Sequence, residues 1–600
     1  MMKKQIVLIV LLLTLLVGAT TAAAQEHKYA LSVFHFNIQY VIGGLYGFVP
    51  LPVDYPLWEI GPDEAEDMIV IESFKPILDL LEDHPDWTLS LELQAYFIEV
   101  LAERHPQVLT QLHDLAQGGQ VELISFHYAD QLFIAFPYED WRRSNERTLE
   151  VFAEYDLPLA GAVFCQEGQG AQGMARRMEE NGYTVMAWPK NLWKYQYGEE
   201  PAKPYYTFGN IHLVQAGKGV DDAATGVKTT WTFMGDGELL ATGDWDPYFP
   251  WFFHTNDDAV EEYEANLQSL VDENYVISGI ADYVEDLIDL GIEPEDPPNM
   301  LDGTWQPGST ESVSMWLGRG GLWRKDERDN HVRTLCMTGH KELTAAETAA
   351  AVAGLDYRDT LDEAWRQLFM AEVSDGSGIN PYRGEVEFTI ASAAEAIRVA
   401  REIIEKAKAA LEMEHVLIDT AAGTVTAGEF SWPGEEVDGG PFAVTVKAKK
   451  REHSERWFKV SDDPETYRLE IAFTAGEDKE ARENSITFPG SGDQVLTTTA
   501  LIDDEIRTYT RSDFTFEDGH FYMPAPIGLV GLGGGWWVVK DMANVHLAAR
   551  ITDSDPDVTF EDLTPPWSET ITWIFYLING DDAQALALAD SINVHPTLAR

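Results

Sequence analysis

Residues 118–130 read Gly118-Gly119-Gln120-Val121-Glu122-Leu123-Ile124-Ser125-Phe126-His127-Tyr128-Ala129-Asp130. A glycine pair ends what comes before, a mainly apolar run follows, and reactive polar groups stand where the run stops. The pattern predicts a strand over 121–126. Upstream, 96–116 carries helical spacing as far as the glycine pair; downstream, 141–155 is helical again. The alternation continues in both directions. Strands are expected over 29–35, 87–93, 161–164, 184–187 and 229–234, with helices over 173–181 and 257–274. A β-then-α rhythm implies parallel strands joined by crossover helices, and at this length a barrel is the expected closure.

From Leu343 the character changes. Residues 343–353, 361–372 and 388–412 are Ala-rich and helical; in the last, Phe388, Ala394, Ile397, Ile403, Ile404, Ala407 and Leu411 recur close to the helical period. Beyond about Val416 the runs shorten and alternate, at 442–447, 467–473, 536–539 and 571–577, between Gly, Pro and Asp. That is the texture of an all-β sandwich. The expected architecture is therefore multidomain α/β. A distorted (β/α) barrel occupies 25–300, a helical domain over 301–415 completes the active site, and a β-sandwich fills 416–600. A chain of 600 residues is too long for one core, and 45% hydrophobic with 11% aromatic residues is globular composition.

Lys+Arg 42 against Asp+Glu 101 gives a net charge of -59, spread through every region. Such a surface repels nucleic acid and anionic lipid. It also repels itself where salt is scarce, so an acidic, salt-adapted protein is expected. At the N-terminus Lys3 and Lys4 precede an apolar run over 6–18 and then Ala22-Ala23-Ala24. This reads as a signal peptide over 1–24, cut near Ala24, which implies a secreted or periplasmic protein with no stable membrane association afterwards. A membrane anchor is the alternative, but the run is shorter than the ~20 residues of a spanning helix. With Cys165 and Cys336 alone, no disulfide framework is expected.

In parallel barrels, reactive groups gather where strands end. Those places hold His35, Asn37 and Gln39; Glu92 and Gln94; His127 and Asp130; Glu167 and Gln169; and Asp236 and Glu238. Polar groups at five of the six strand ends are a stronger signal than any one of them.

The order of these elements resembles glycoside hydrolase family 57. His35-Phe36-Asn37 stands where that family has His-Gln-Pro, and Gly119-Gln120-Val121-Glu122 fits its Gly-Gln-Val/Leu-Glu strand. Phe164-Cys165-Gln166-Glu167 corresponds to its Trp-x-Pro-Glu element with the Glu kept and Trp and Pro absent. Asp236-Gly237-Glu238-Leu239-Leu240 is similar to its Asp-x-Glu-Leu-Phe-Gly element. The stretch from Trp316 to Trp323 resembles its Gly-rich, Trp-bearing segment, and Ser374-Asp375-Gly376 partly matches its Ser-Asp-Trp. The likeness spans roughly 28–410. It implies a (β/α)7 barrel, a retaining mechanism on α-linked sugars by hydrolysis or transfer, Glu167 as nucleophile and Asp236 as acid/base. His35, Asn37, Gln39, Glu92, His127, Asp130, Gln169, Trp316, Trp323 and Asp375 would hold the carbohydrate. No metal or other cofactor is implied.

The chemistry points to the same pair. Cleaving a glycosidic bond needs one carboxylate at the anomeric carbon and one carboxylic acid at the leaving oxygen, about 5–5.5 Å apart in a retaining enzyme. Structural readings stand beside these. Glu167 between polar and glycine neighbours is also a loop carboxylate, Asp236-Gly237 a turn, His35 a core histidine, and Trp316 and Trp323 core residues. Asp244 and Asp246 compete for the acid role. Cys165 reads as a buried filler, and Trp536-Trp537 as core more than sugar platform. Rival functions are a zinc α-mannosidase of family 38 type, which wants His-x-Asp where this chain has His35-Phe36-Asn37, a polysaccharide deacetylase, and an inactive carbohydrate-binding protein.

Overall fold

The computed structural model describes residues 26–36, 38, 61–164, 169–170, 172–189, 194, 196–198, 203–237, 258–301, 328–373, 383–428, 434–477, 484–499, 501–516, 518–523, 528–544, 548–562 and 570–600. Its first half is built on mainly parallel strands, β1 (His27–Phe36), β2 (Leu89–Leu93), β3 (Val121–Ile124), β4 (Ala162–Phe164), β5 (Val185–Pro189), β6 (Tyr206–Phe208), β7 (Ile211–Ala216), β8 (Asp221–Asp222), β9 (Val227–Asp236) and β10 (Val276–Ser278), with β6 antiparallel to β7 and β8 antiparallel to β9. One sheet runs β3-β2-β1-β9-β8 with β10 also on β1, and the other runs β4-β5-β7-β6. The two meet at a parallel bridge between Leu123 and Leu159, reinforced by the Ala160 amide donating to the Leu123 carbonyl at 2.8 Å. Among the described residues, this join carries the parallel layer from one sheet to the other.

β1 lies at the centre. β9 follows one edge from His27 to His35, while β10 and β2 share the other. Both faces of β1 are covered, so its buried residues form a nearly continuous apolar run, as a central parallel strand requires. Phe34 stacks on Phe233 of β9 at 4.2 Å, and Phe36 meets Phe74 edge-on at 4.9 Å. Each such ring removed from water is worth roughly 1.5–3 kcal/mol.

Several boundaries differ from the sequence expectation. The helix expected over 96–116 is two, Ala95–Arg104 and Pro106–Gln117, because Pro106 pushes His105 out of the helical region and then starts the next helix. The helix expected over 343–353 begins at Arg328 and runs to Ala353. The strand expected over 229–234 extends over Val227–Asp236, so Asp236 closes a strand and is not in a free turn. Residues 62–83 form helices Pro62–Ile69 and Lys75–Asp83 around a π-helical turn, Val70–Phe74.

The helices Arg328–Ala353, Arg358–Ala371 and Arg383–Ala410 pack together after the parallel layer. Then two antiparallel sheets, of eight and five strands, enclose a core that includes Leu469, Ile471, Phe473, Phe488, Phe560, Trp573 and Phe575. Trp537 is buried in a neighbouring cluster with Tyr576 and Ala585, and Trp536 packs against the sandwich core. No helix among the described residues is long and apolar enough to cross a membrane.

Candidate active site

The Gly-Gln-Val-Glu stretch builds the strand and does not reach the site. Gly119 takes a left-handed conformation (φ 79°) that turns the chain, and Gln120 Nε2 donates to the Leu81 and His84 carbonyls. Glu122 accepts from Ser90 Oγ at 2.9 Å and from the Ile280 and Ala281 amides at 3.0 and 2.8 Å, capping the helix Ile280–Asp289. Burial pushes its carboxyl up to about 7 against the pull of the Ser90 hydrogen bond and of the Asp282 and Ala281 amides.

The reactive groups collect one layer further along. In the strand register His35 is level with Glu92 on β2 and with Asp236 on β9. Glu92 is buried and grips two imidazoles: Nδ1 of His35 on one oxygen, and Nε2 of His127, at 2.9 Å, on the other. The Gln131 amide is shared between the Ala129 carbonyl at 2.7 Å and Nδ1 of His127 at 3.3 Å, and the Glu92 carboxylate faces Nε2, so the ring carries its proton on Nε2. Nε2 of His35 stands 3.3 Å from Oδ2 of buried Asp130.

The charges follow. Burial lowers the His35 imidazole, but Asp130 and Glu92 outweigh it and hold the ring protonated, well above its ordinary value. Burial raises Glu92, yet His35 and His127 outweigh it and keep it ionised below the usual range. Asp130 is raised by burial against the pull of His35, and Asp236 is raised by loss of water and by Asp130, with His35 opposing. Two carboxyls pushed up beside one held down is the separation that assigns acid and base roles in carboxylate enzymes.

Three features fix Asp236. The Gly237 amide donates to the His35 carbonyl at 2.6 Å, Ser73 Oγ in the π-helical turn donates to the Gly237 carbonyl at 2.6 Å, and a Cβ at Gly237 would lie 2.9 Å from the Phe36 ring. Gln169 is buried, its carboxamide accepting from the Ile134 amide and donating to the Gln131 carbonyl, both at 3.1 Å. It ties the end of the post-β4 loop to the loop bearing Asp130. The ring of Phe164, last in β4, lies 6.0 Å from that of His35.

Of the sequence-derived site residues, His35, Glu92, His127, Asp130 and Asp236 come together, with Gln169 beside them. Asn37, Gln39, Glu167, Trp316, Trp323 and Asp375 lie outside the described residues, as do Cys165, Asp244 and Asp246. Sequence reasoning missed Ser73, Gln131 and Glu372; of these, only Gln131, next to Asp130, carried a local signal.

No family model matches the chain. A curated α-amylase from Pyrococcus horikoshii is 28% identical over 69 residues, which is 12% of this chain and 11% of that enzyme. The chain thus matches about a tenth of the length of this curated relative. Among solved structures, an α-mannosidase from Enterococcus faecalis V583 superposes with a TM-score of 0.60 at 9% identity, over 96% of this chain and 90% of that one. The chain has the α-mannosidase fold. A family 57 branching enzyme from Pyrococcus horikoshii superposes at 0.43 and 12% identity, over 63% of this chain and 88% of that one. The parallel α/β region, helical segment and antiparallel sheets follow one another here as in the α-mannosidase architecture.

Both nitrogens of His35 face carboxylates, His127 directs Nε2 at Glu92, and among the described residues no three His, Cys, Asp or Glu are placed to hold a metal ion.

Proposed function

We propose that this chain is an exported retaining glycoside hydrolase or transglycosylase acting on α-linked oligo- or polysaccharides through two carboxylates. Asp236 is the acid/base and Glu167 the nucleophile. The observation that carries the reading is the place of Asp236: it ends a parallel strand, stands level with a protonated histidine, and has its carboxyl raised. A carboxyl raised in this way holds its proton to a higher pH than an ordinary aspartate, as a donor to the leaving-group oxygen must. His35 limits the rise and offers positive charge as the acid becomes a carboxylate.

Glu167 is two residues from Gln169, which is hydrogen-bonded to the Asp130 loop, and three from Phe164, whose ring faces His35. The α-amylase match and the α-mannosidase fold favour α-glucosides and α-mannosides as the first sugars to test.

A second reading rests on one observation. Asp130 acts on Asp236 directly, so these two carboxyls can themselves form the pair, with Asp130 as nucleophile. Turnover of α-linked aryl glucosides and mannosides should be measured for the wild type, Asp236→Asn, Glu167→Gln and Asp130→Asn, with and without chelator. Near-complete loss in Asp236→Asn and Glu167→Gln, with activity surviving chelation, supports the proposal. Loss in Asp130→Asn with Glu167→Gln active moves the nucleophile to Asp130, and loss on chelation overturns both.

A further inference from the structure

The loop 127–132, which carries His127 and Asp130, is gripped from outside the parallel layer. The Leu132 amide donates to the Glu372 carbonyl at 2.9 Å, and Gln131 forms a bridge with Val373. Gln131 Nε2 donates to Glu372 Oε2 at 2.6 Å, while its Oε1 accepts from Ser144 Oγ, which itself accepts from the Tyr128 amide at 2.7 Å. All four polar ends of this grip are buried. At its far end the Glu372 carboxyl lies beside that of Asp140. Asp140 meets Nδ1 of His340, and Nε2 of His340 donates to the Val594 carbonyl at 2.6 Å.

We infer that Glu372, the residue after the helix Arg358–Ala371, is a positioning residue: through Gln131 it fixes the ring of His127, and so the Glu92–His35–Asp130 geometry, in the site. The reasoning runs along the bonds. Holding the Gln131 carboxamide holds its backbone, whose N–H is shared between the Ala129 carbonyl at 2.7 Å and Nδ1 of His127 at 3.3 Å. That shared donor on Nδ1 and the Glu92 carboxylate on Nε2 act together to set the Nε2–H form of His127. Glu92 then accepts from both rings, which leaves Nε2 of His35 to face Asp130.

Two buried carboxyls side by side are disfavoured as two charges, which opposes ionisation of Glu372. Burial raises it well above the ordinary carboxyl range, in keeping with this. A glutamine has the same shape with the same pattern, an oxygen to accept from Gln131 and an N–H to donate to Asp140. An alanine has neither.

The role in catalysis rests on the proposed function, but the tautomer does not, so the two are measured separately on the full chain. With 15N-histidine labelling, and His127 assigned by the signal lost in His127→Gln, the wild type is expected to show an Nε2–H, Nδ1-acceptor ring. Glu372→Gln should keep that signature and Glu372→Ala should lose it. If Glu372→Ala does not fold, Gln131→Leu breaks the same link and should lose it too. In turnover of the best α-linked aryl glycoside, Glu372→Ala should lower kcat about 10–100-fold with KM changed little, and Glu372→Gln should recover most of it. An unchanged His127 signature in folded Glu372→Ala or Gln131→Leu overturns the inference, as does an equal kcat loss in the Gln and Ala variants. If the wild type turns over no glycoside, the proposed function fails, and the tautomer signature alone still decides the positioning role.

Discussion

His35 and Asp236 stand level on neighbouring parallel strands, tied by the Gly237 amide donating to the His35 carbonyl at 2.6 Å. The tie puts a buried, protonated imidazole beside a carboxyl that loss of water and Asp130 have raised. An acid placed this way can give up its proton during a reaction and be stabilised once it has done so.

Asp236→Asn keeps the size and removes the proton donor. Its kcat on α-linked glycosides with poor leaving groups is expected to fall about 10²–10⁴-fold, with a smaller loss where the leaving group needs no protonation. Steady-state kinetics on a leaving-group series checks this. An equal loss across the series would show that Asp236 is not the acid. In the wild type, activity should decline as pH rises through the raised Asp236 value, because only the protonated form donates.

Gly237→Ala tests how Asp236 is held. The added methyl would press on the Phe36 ring, so the end of β9 must shift. A stability loss of about 1–3 kcal/mol is expected in denaturant unfolding, with kcat lowered more than KM is raised. Wild-type kcat in a destabilised variant would mean that Asp236 tolerates the shift.

The parallel layer and the later β-sheets were legible in the sequence because periodicity is local. Five site groups, His35, Glu92, His127, Asp130 and Asp236, were legible because they fall where strands end. Gln131 and Glu372 were not, since their pairing joins residues 241 apart and depends on how the helices pack. The break at His105-Pro106 was available from the proline and was overridden by the apolar spacing on either side. Glu122 carried a resemblance to a family motif, yet its work here is to cap the helix Ile280–Asp289.

Glu122→Ala removes the acceptor of the Ala281 and Asp282 amides and leaves the Ile280 amide with Ser90 Oγ alone. A loss of about 1–3 kcal/mol is expected in denaturant unfolding, with active-site kinetics little changed. An unaltered stability would mean that the helix is capped by other means.

His35 sets a pH dependence of stability. Its folded value lies well above 6.5, so its contribution is fully present below about pH 6.5 and is lost as pH rises through the folded value. Glu92 is lowered, so its share is present above about 4.5 and is lost as pH falls through its folded value. His35→Gln is expected to be less stable by about 3–5 kcal/mol in the window between. The difference from wild type should shrink on the alkaline side. A difference that does not vary with pH would contradict the charged pair.

A charge of -59 on this chain should make salt stabilising. Raising salt from millimolar, where the Debye length is tens of ångströms, to molar, where it is about 3 Å, is expected to raise the melting temperature. Equal melting temperatures at both ends would remove the case for a salt-adapted protein.

The most direct measurement is to trap the reaction on the protein. The wild type would be incubated with a fluorinated α-glycoside whose glycosyl-enzyme intermediate turns over slowly, and the labelled peptide read by mass spectrometry. A covalent sugar on Glu167, absent from Glu167→Gln and formed in the presence of chelator, is the expected result. A label on any other carboxylate, or turnover of α-glycosides that stops on chelation, would contradict the account.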